Sequence, residues 1–249
     1  MSRATLIARQ VRYEDIAFWR NPVVAVFTFA FPLIFMVLAQ LVFAGHVDGG
    51  ASALFYTPAI VTLSVVNVCF VSIAMTVSLS RDQGVLKRIR GTPLSPLSYL
   101  LARVVHAVLV TLLLTIIVVA CGALLFGAPL PFDQVPALVV IVMVGAAAFA
   151  ALGLAMAGLI PDAHAAPAVV NAIVLPLYVI SDVFMPVDPG SVVALVASLF
   201  PVQHLARALG SVWQPTTIPL DPVDLAWVAA WGVAGLVVAL RTFTWEPRA

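Results

Sequence analysis

From Val135 to Ile160 the chain reads VPALVVIVMVGAAAFAALGLAMAGLI, 26 residues without a charge and without polar alternation. About 20 apolar residues are what a helix needs to cross the hydrocarbon core of a bilayer. A lipid-exposed segment must satisfy its own backbone, so this stretch is a helix, and its unbroken length excludes a β-barrel strand. Five further runs share its character, at about Val23–Phe43, Leu54–Leu79, Tyr99–Phe126, Ala166–Pro186 and Leu225–Leu240. The expected fold is therefore all-α and integral to the membrane, with six transmembrane helices.

Composition agrees. Of 249 residues, 63% are hydrophobic and 9% charged, whereas a soluble domain is about 45–50% apolar and about 25% charged. One membrane domain fills the chain and leaves no room for a soluble catalytic domain. The formal net charge of +1 offers no bulk attraction for nucleic acid. Cys69 and Cys121 fall inside apolar runs, without metal-ligand spacing, and read as packing residues.

Orientation follows from the cations. Arg3, Arg9, Arg12 and Arg20 precede the first span; Arg81, Lys87, Arg88, Arg90 and Arg103 surround the loop between spans two and three; Arg241 and Arg248 follow the last. Only Arg207 lies on the other face, so eleven of twelve cations share one side. The positive-inside rule makes that side, with both termini, cytoplasmic, and a plasma-membrane location is expected. The opposite loops carry Asp48, Asp133, Asp188, Asp221 and Asp224.

Three segments do not span. Residues 1–22 interleave arginines with Leu6, Ile7, Val11, Phe18 and Trp19, the pattern of an interfacial helix, serving either as an anchor or in a mechanical role. Asn21 is placed to cap the following helix and Pro22 to open it. The loop 80–98 holds the sole lysine, Lys87. A short helix over about Asp82–Arg90 would put Val85, Leu86 and Ile89 on one face, to be stopped by Gly91, Pro93 and Pro96. It anchors to anionic lipid, orients the chain, or docks on a cytoplasmic partner. Residues 187–224 contain an apolar stretch, Ser191–Phe200, too short to cross. Pro201 breaks it, and a weakly amphipathic helix, Val202–Trp213, follows. This is a re-entrant or interfacial hairpin on the external side, where Arg207 is expected to pair with Asp182 or Asp188. The tail is 242–249.

The chemistry that is missing narrows the function. No zinc helix, nucleophile elbow or phosphate-cradling loop occurs, the only glutamates, Glu14 and Glu246, lie outside the spans, and the four histidines are dispersed. A metal site is not expected. The spans carry neutral polar residues, among them Gln40, Asn67, Ser72, Thr76, Thr111, Thr115 and Asn171, each either packing glue or part of a path.

At the second loop a family comes into view. The order acid-x-Gly-x-Leu-Lys-Arg-x-Arg-x-Thr-Pro, from Asp82 to Pro93, resembles the signature loop of ABC-2-type permeases, most closely the daunorubicin-resistance branch of drug and lipid exporters. Phe31-Pro32, Phe184-Met185-Pro186 and Phe200-Pro201-Val202-Gln203-His204 extend the resemblance over the whole chain. The chain departs from it with Asp82, where glutamate is frequent, and Asp182, where a small residue is frequent.

The resemblance implies a half-transporter. Two membrane subunits, identical or paralogous, would pair with two copies of a separate ATP-binding subunit, which binds ATP and Mg. The loop would be a cytoplasmic coupling helix, with Arg81, Asp82, Gly84, Leu86, Lys87, Arg88, Arg90, Thr92 and Pro93 as ATPase-coupling residues. The external hairpin would act as a gate involving Asp182, Phe184, Pro186, Pro201, His204 and Arg207. An apolar path with few polar groups suits hydrophobic or amphiphilic substrates, with Asn67, Ser72 and Thr76 as the expected lining. This chain would itself be no enzyme. The alternative is an ion-coupled secondary transporter of hydrophobic compounds, which would work without an ATPase.

Overall fold

The computed structural model describes residues 3–43, 49–92, 94–184, 188, 190–214 and 220–244. Among the described residues all regular structure is helical: α1 (Arg3–Trp19), α2 (Pro22–Phe43), α3 (Gly49–Val65), a π-helical stretch (Val66–Val71), α4 (Ser72–Asp82), α5 (Val85–Arg90), α6 (Pro96–Phe126), a 3₁₀ turn (Phe132–Gln134), α7 (Val135–Leu159), α8 (Ala166–Ile180), α9 (Val192–Ala197), α10 (Pro201–Ser211) and α11 (Pro222–Thr242).

Among the described residues five helical stretches are long and apolar enough to cross a membrane: Pro22–Val42, Ala53–Asp82, Pro96–Phe126, Phe132–Leu159 and Pro222–Thr242. The remaining expected run, Ala166–Pro186, yields only the 15-residue α8. At 1.5 Å per residue α8 is about 22 Å long, short of a hydrocarbon core of about 30 Å. It stops where Asp182 takes a left-handed φ of 56°, a conformation that ends helices.

Local chemistry sets the other boundaries. Asn21 Oδ1 accepts from the Val24 amide at 3.3 Å, capping α2 with Pro22 in its first turn. Ser95 caps α6 by accepting from the Ser98 amide at 3.2 Å. Gly127, at φ 70°, closes α6, with the Ala128 amide donating to the Gly122 carbonyl at 3.0 Å. The expected Asp82–Arg90 helix divides in two: α4 runs through Asp82, Gly84 turns left-handed at φ 70°, and α5 begins only at Val85.

Helix α7 is the pillar, flanked by α11, α6, α4, the π-helical stretch and α10. Without a hydrophobic contrast between helix and lipid, close approach through small residues decides such packing. Gly232 and Gly235 of α11 face Ala148, Ala151 and Leu152 of α7, and Gly153 of α7 lies against the backbone of Cys69 and Phe70. Gly158 at the end of α7 meets Thr242 at the end of α11. Tyr99 of α6 lies 6.0 Å from Phe243, ring to ring, so the ends of α7 and α11 share one end of the bundle with the start of α6. At the opposite end the Trp213 indole N–H donates to the Pro129 carbonyl at 3.1 Å.

Helix α1 has no buried residue, yet it is tied down. Phe18 and Trp19 pack on Phe29 with ring centroids 6.2 and 5.8 Å away, and Glu14 pairs with Arg103 of α6 at 3.1 Å.

Candidate functional site

The elbow between α4 and α5 is built around a buried cation. Arg81 is 2% exposed. Its Nη1 donates to the Ala157 carbonyl at 2.9 Å, and its Nη2 to those of Ile160 at 2.9 Å and Pro161 at 3.1 Å. Its Nε lies 3.3 Å from Asp82 Oδ1, and Asp82 Oδ2 accepts from the Ala163 amide. The last carbonyls of a helix lack intrahelical donors. Ala157 would look to the amide of residue 161, which is proline and has none. Arg81 fills that vacancy, placing its charge at the negative end of α7.

Beyond Gly84 the chain changes character. Leu86 of α5 is buried at 1% exposure and Ile89 packs against the core, whereas Val85, Lys87, Arg88 and Arg90 are exposed. The Thr92 hydroxyl donates to the Ile89 carbonyl at 2.6 Å and closes the helix. The nine residues expected to act together thus divide. Arg81 and Asp82 turn inward, Leu86 anchors, Gly84 and Thr92 shape the turns, and Lys87, Arg88 and Arg90 face out. Pro93 lies outside the described residues. Val85, expected on the same face as Leu86, is exposed, because successive residues of a helix point about 100° apart.

Asn67, Ser72 and Thr76 do come together. They line a cavity of about 340 Å3 between α2 and the π-helical stretch with α4, walled otherwise by apolar groups such as Phe27, Phe31, Pro32 and Met75. A second cavity of about 210 Å3 adjoins it, sharing Val24, Thr28, Val68, Ser72 and Thr76, and ends among Glu14, Asn21, Arg103 and His106. The result is an amphipathic groove, apolar along most of its length and charged at the mouth near α1. The Thr28 and Thr76 hydroxyls donate to carbonyls of their own helices at 2.7 Å, leaving oxygen lone pairs as acceptors. Glu14, Arg103 and His106 escaped the sequence reading. The available signal was that Glu14 is one of only two glutamates in the chain.

At the other end, His204 of α10 is 8% exposed and sits between two acceptors. Its Nδ1 lies 2.6 Å from Asp224 Oδ1 and its Nε2 lies 2.8 Å from the Ser198 carbonyl. The Trp231 indole N–H donates to the Leu199 carbonyl at 3.1 Å, adding a second tie between this hairpin and α11. Helix α10 is more deeply set than its weak amphipathic pattern promised, with every residue from Pro201 to Ala206 buried. Phe184 sits between Phe35 and Tyr178, with ring centroids 5.1 and 5.6 Å away and the rings tilted.

The expected pairing of Arg207 is not found. Asp182 instead accepts from Gln203 Nε2 at 3.4 Å, and Arg207 makes no ion pair among the described residues. Arg207 occupies the exposed position of α10, lining a cleft beside α9. Pro186 lies outside the described residues.

Among the described residues no group of three or more His, Cys, Asp or Glu could hold a metal. Cys69 and Cys121 are free, and Cys69 Sγ lies 3.2 Å from Thr111 Oγ1. No curated protein sequence matches the chain. The sequence model of the ABC-2 type transporter family matches residues 5–212, most of the chain, which therefore belongs to that family of membrane-embedded transporter components that generally work with an ATP-binding subunit.

Proposed function

We propose that this chain is the permease half of an ATP-driven exporter, pairing with a second membrane subunit, identical or paralogous, and with two copies of an ATP-binding subunit that holds ATP and Mg. The observation that carries the reading is α5, a short helix held by Leu86 that presents Lys87, Arg88 and Arg90 outward beyond a glycine hinge. A helix anchored on one side and cationic on the other suits a cytoplasmic protein groove.

In this reading residues 23–241 form one membrane domain of six crossings. The short α8 and the chain after it make the fifth, α9 and α10 form an external re-entrant hairpin, and residues 1–22 and 242–249 are cytoplasmic. That topology gathers eleven of twelve cations on the inner face of the plasma membrane. The ATPase moves α5, the bundle alternates between two packings, and an amphiphile, drug or lipid, follows the groove past Asn67, Ser72 and Thr76. Asp182, Phe184, Pro186, Pro201, His204 and Arg207 frame the outward gate.

The test replaces Lys87 and Arg88 together by alanine. Insertion should be unchanged, while the ATPase subunit no longer co-purifies or export falls about tenfold, the scale of one lost charged contact at an interface. Normal assembly and normal export in this variant would sink the coupling role. Transport by the purified chain alone under an ion gradient would instead establish a secondary transporter.

A further inference from the structure

The pair at the end of α4, buried Arg81 and half-buried Asp82, belongs to the same polypeptide turn as α5, yet all its long-range bonds go elsewhere. Arg81 bonds to three carbonyls at the end of α7 and just beyond it, and Asp82 to the Ala163 amide in the turn leading into α8. These partners lie 76 to 81 residues away in sequence. The guanidinium suits the task because its planar fork offers several donors in fixed directions, which the single ammonium of a lysine does not. Removing it would leave Ala157 without any donor, since Pro161 has no N–H.

From these contacts we infer that Arg81 and Asp82 are positioning residues of the transport cycle: they form a joint that carries displacement of the α4–α5 elbow into the α7–α8 corner, and so into α8. The inference rests on the permease reading above. Helix α4 already packs on α7 and α8, and the joint adds directed polar bonds to that apolar contact. A push on the elbow therefore carries the α7–α8 corner with it and reaches α8, whose far end leads through Ser181 and Asp182 to the hairpin. Arg81 and Asp82 sit on the α4 side of Gly84, so the joint moves with the end of α4. Side chains that face inward in this way do not touch the ATPase.

Two distance measurements by pulsed electron paramagnetic resonance test this, in a background with Cys69→Ser and Cys121→Ser. The first uses the chain alone in lipid nanodiscs, with spin labels at Val85→Cys on α5 and His164→Cys in the turn before α8. A single narrow distance is expected, broadened by Arg81→Lys and by Asp82→Asn, two changes that preserve size. The second uses the complex with its ATPase subunit, labelled at Val179→Cys on α8 and Val233→Cys on α11, with and without ATP plus vanadate. Nucleotide should shift this distance in the unmodified joint and fail to do so in either variant, while the ATPase still co-purifies.

Unchanged widths in the first measurement for both variants overturn the joint. A nucleotide-driven shift of α8 that persists in both variants overturns its role in coupling and leaves the permease reading standing. Loss of ATPase co-purification in both variants makes them docking residues and likewise overturns the inference alone. If the unmodified chain binds no ATPase and no label responds to nucleotide, the permease reading itself falls and takes the coupling role with it.

Discussion

In α2, 22% of the membrane-spanning window is buried within the protein; in the span of α7 the figure is 67%. Both are long, uncharged and apolar, and hydropathy ranks them together. Their side chains differ in size. Helix α2 is lined with Val, Phe, Ile and Leu, with Phe27 67% and Leu41 73% exposed. The buried face of α7 is largely Ala and Gly, including Gly145, Ala146, Ala148, Ala150, Gly153 and Gly158. Lipid tails are as apolar as leucine, so apolarity selects the membrane over water and says nothing about lipid against protein. What seats a helix at the centre is how closely its neighbours can approach.

That contrast can be broken by adding one methyl at a time. Gly153→Ala should have the largest effect, because the new Cβ would stand 2.7 Å from the Cys69 carbonyl oxygen and 2.8 Å from that of Phe70. Backbone at the π-helical stretch cannot swing aside, and a loss of about 3 kcal/mol is expected, at the upper end for overpacking, read as a large fall in the unfolding midpoint in nanodiscs. Gly232→Ala in α11 comes next. Its Cβ would meet Ala148 Cα and Cβ at 2.8 Å, which separating α7 from α11 relieves, at about 2 kcal/mol, measured in the same melt.

Gly145→Ala should be mild. The obstacle is the tip of Leu205, 2.7 Å away, which can rotate, and the helix propensity gained by replacing glycine is about 1 kcal/mol. The midpoint should barely move, and a fall as large as that of Gly153→Ala would show that α10 is locked to α7. Leu41→Ala on α2 should change stability least, by about 0.5 kcal/mol or less, as for other positions outside the packed core. A large loss there in a preparation of single chains would contradict the exposed placement of α2.

Legibility in the sequence followed how local each feature is. The cap at Asn21 and Pro22 was readable, because its donor is three residues away. The lining residues Asn67, Ser72 and Thr76 were readable as a polar stripe, since neighbouring turns of one helical span carry them. The start of α5 was missed by three residues because the left-handed turn at Gly84 is one of several conformations that glycine accepts. Arg81 was counted with the exposed cations of its loop, for its partners belong to the α7–α8 corner. The pairing of Arg207 failed likewise: its neighbours depend on which face of α10 turns inward, and that face packs on α11, α3 and α7.

By itself the sequence determined that this protein lives in a membrane, where most of its helices lie, which end of each carries charge, and the signature loop of its family. Those properties belong to single segments, since apolarity, capping and charge act within a few residues. Only the tertiary structure decided that α7 is the pillar, that Arg81 closes the end of a helix nearly eighty residues away, and that Glu14 and Arg103 stand at the mouth of the groove. In lipid such choices turn on shape and on unpaired backbone groups, which become defined only when distant segments meet.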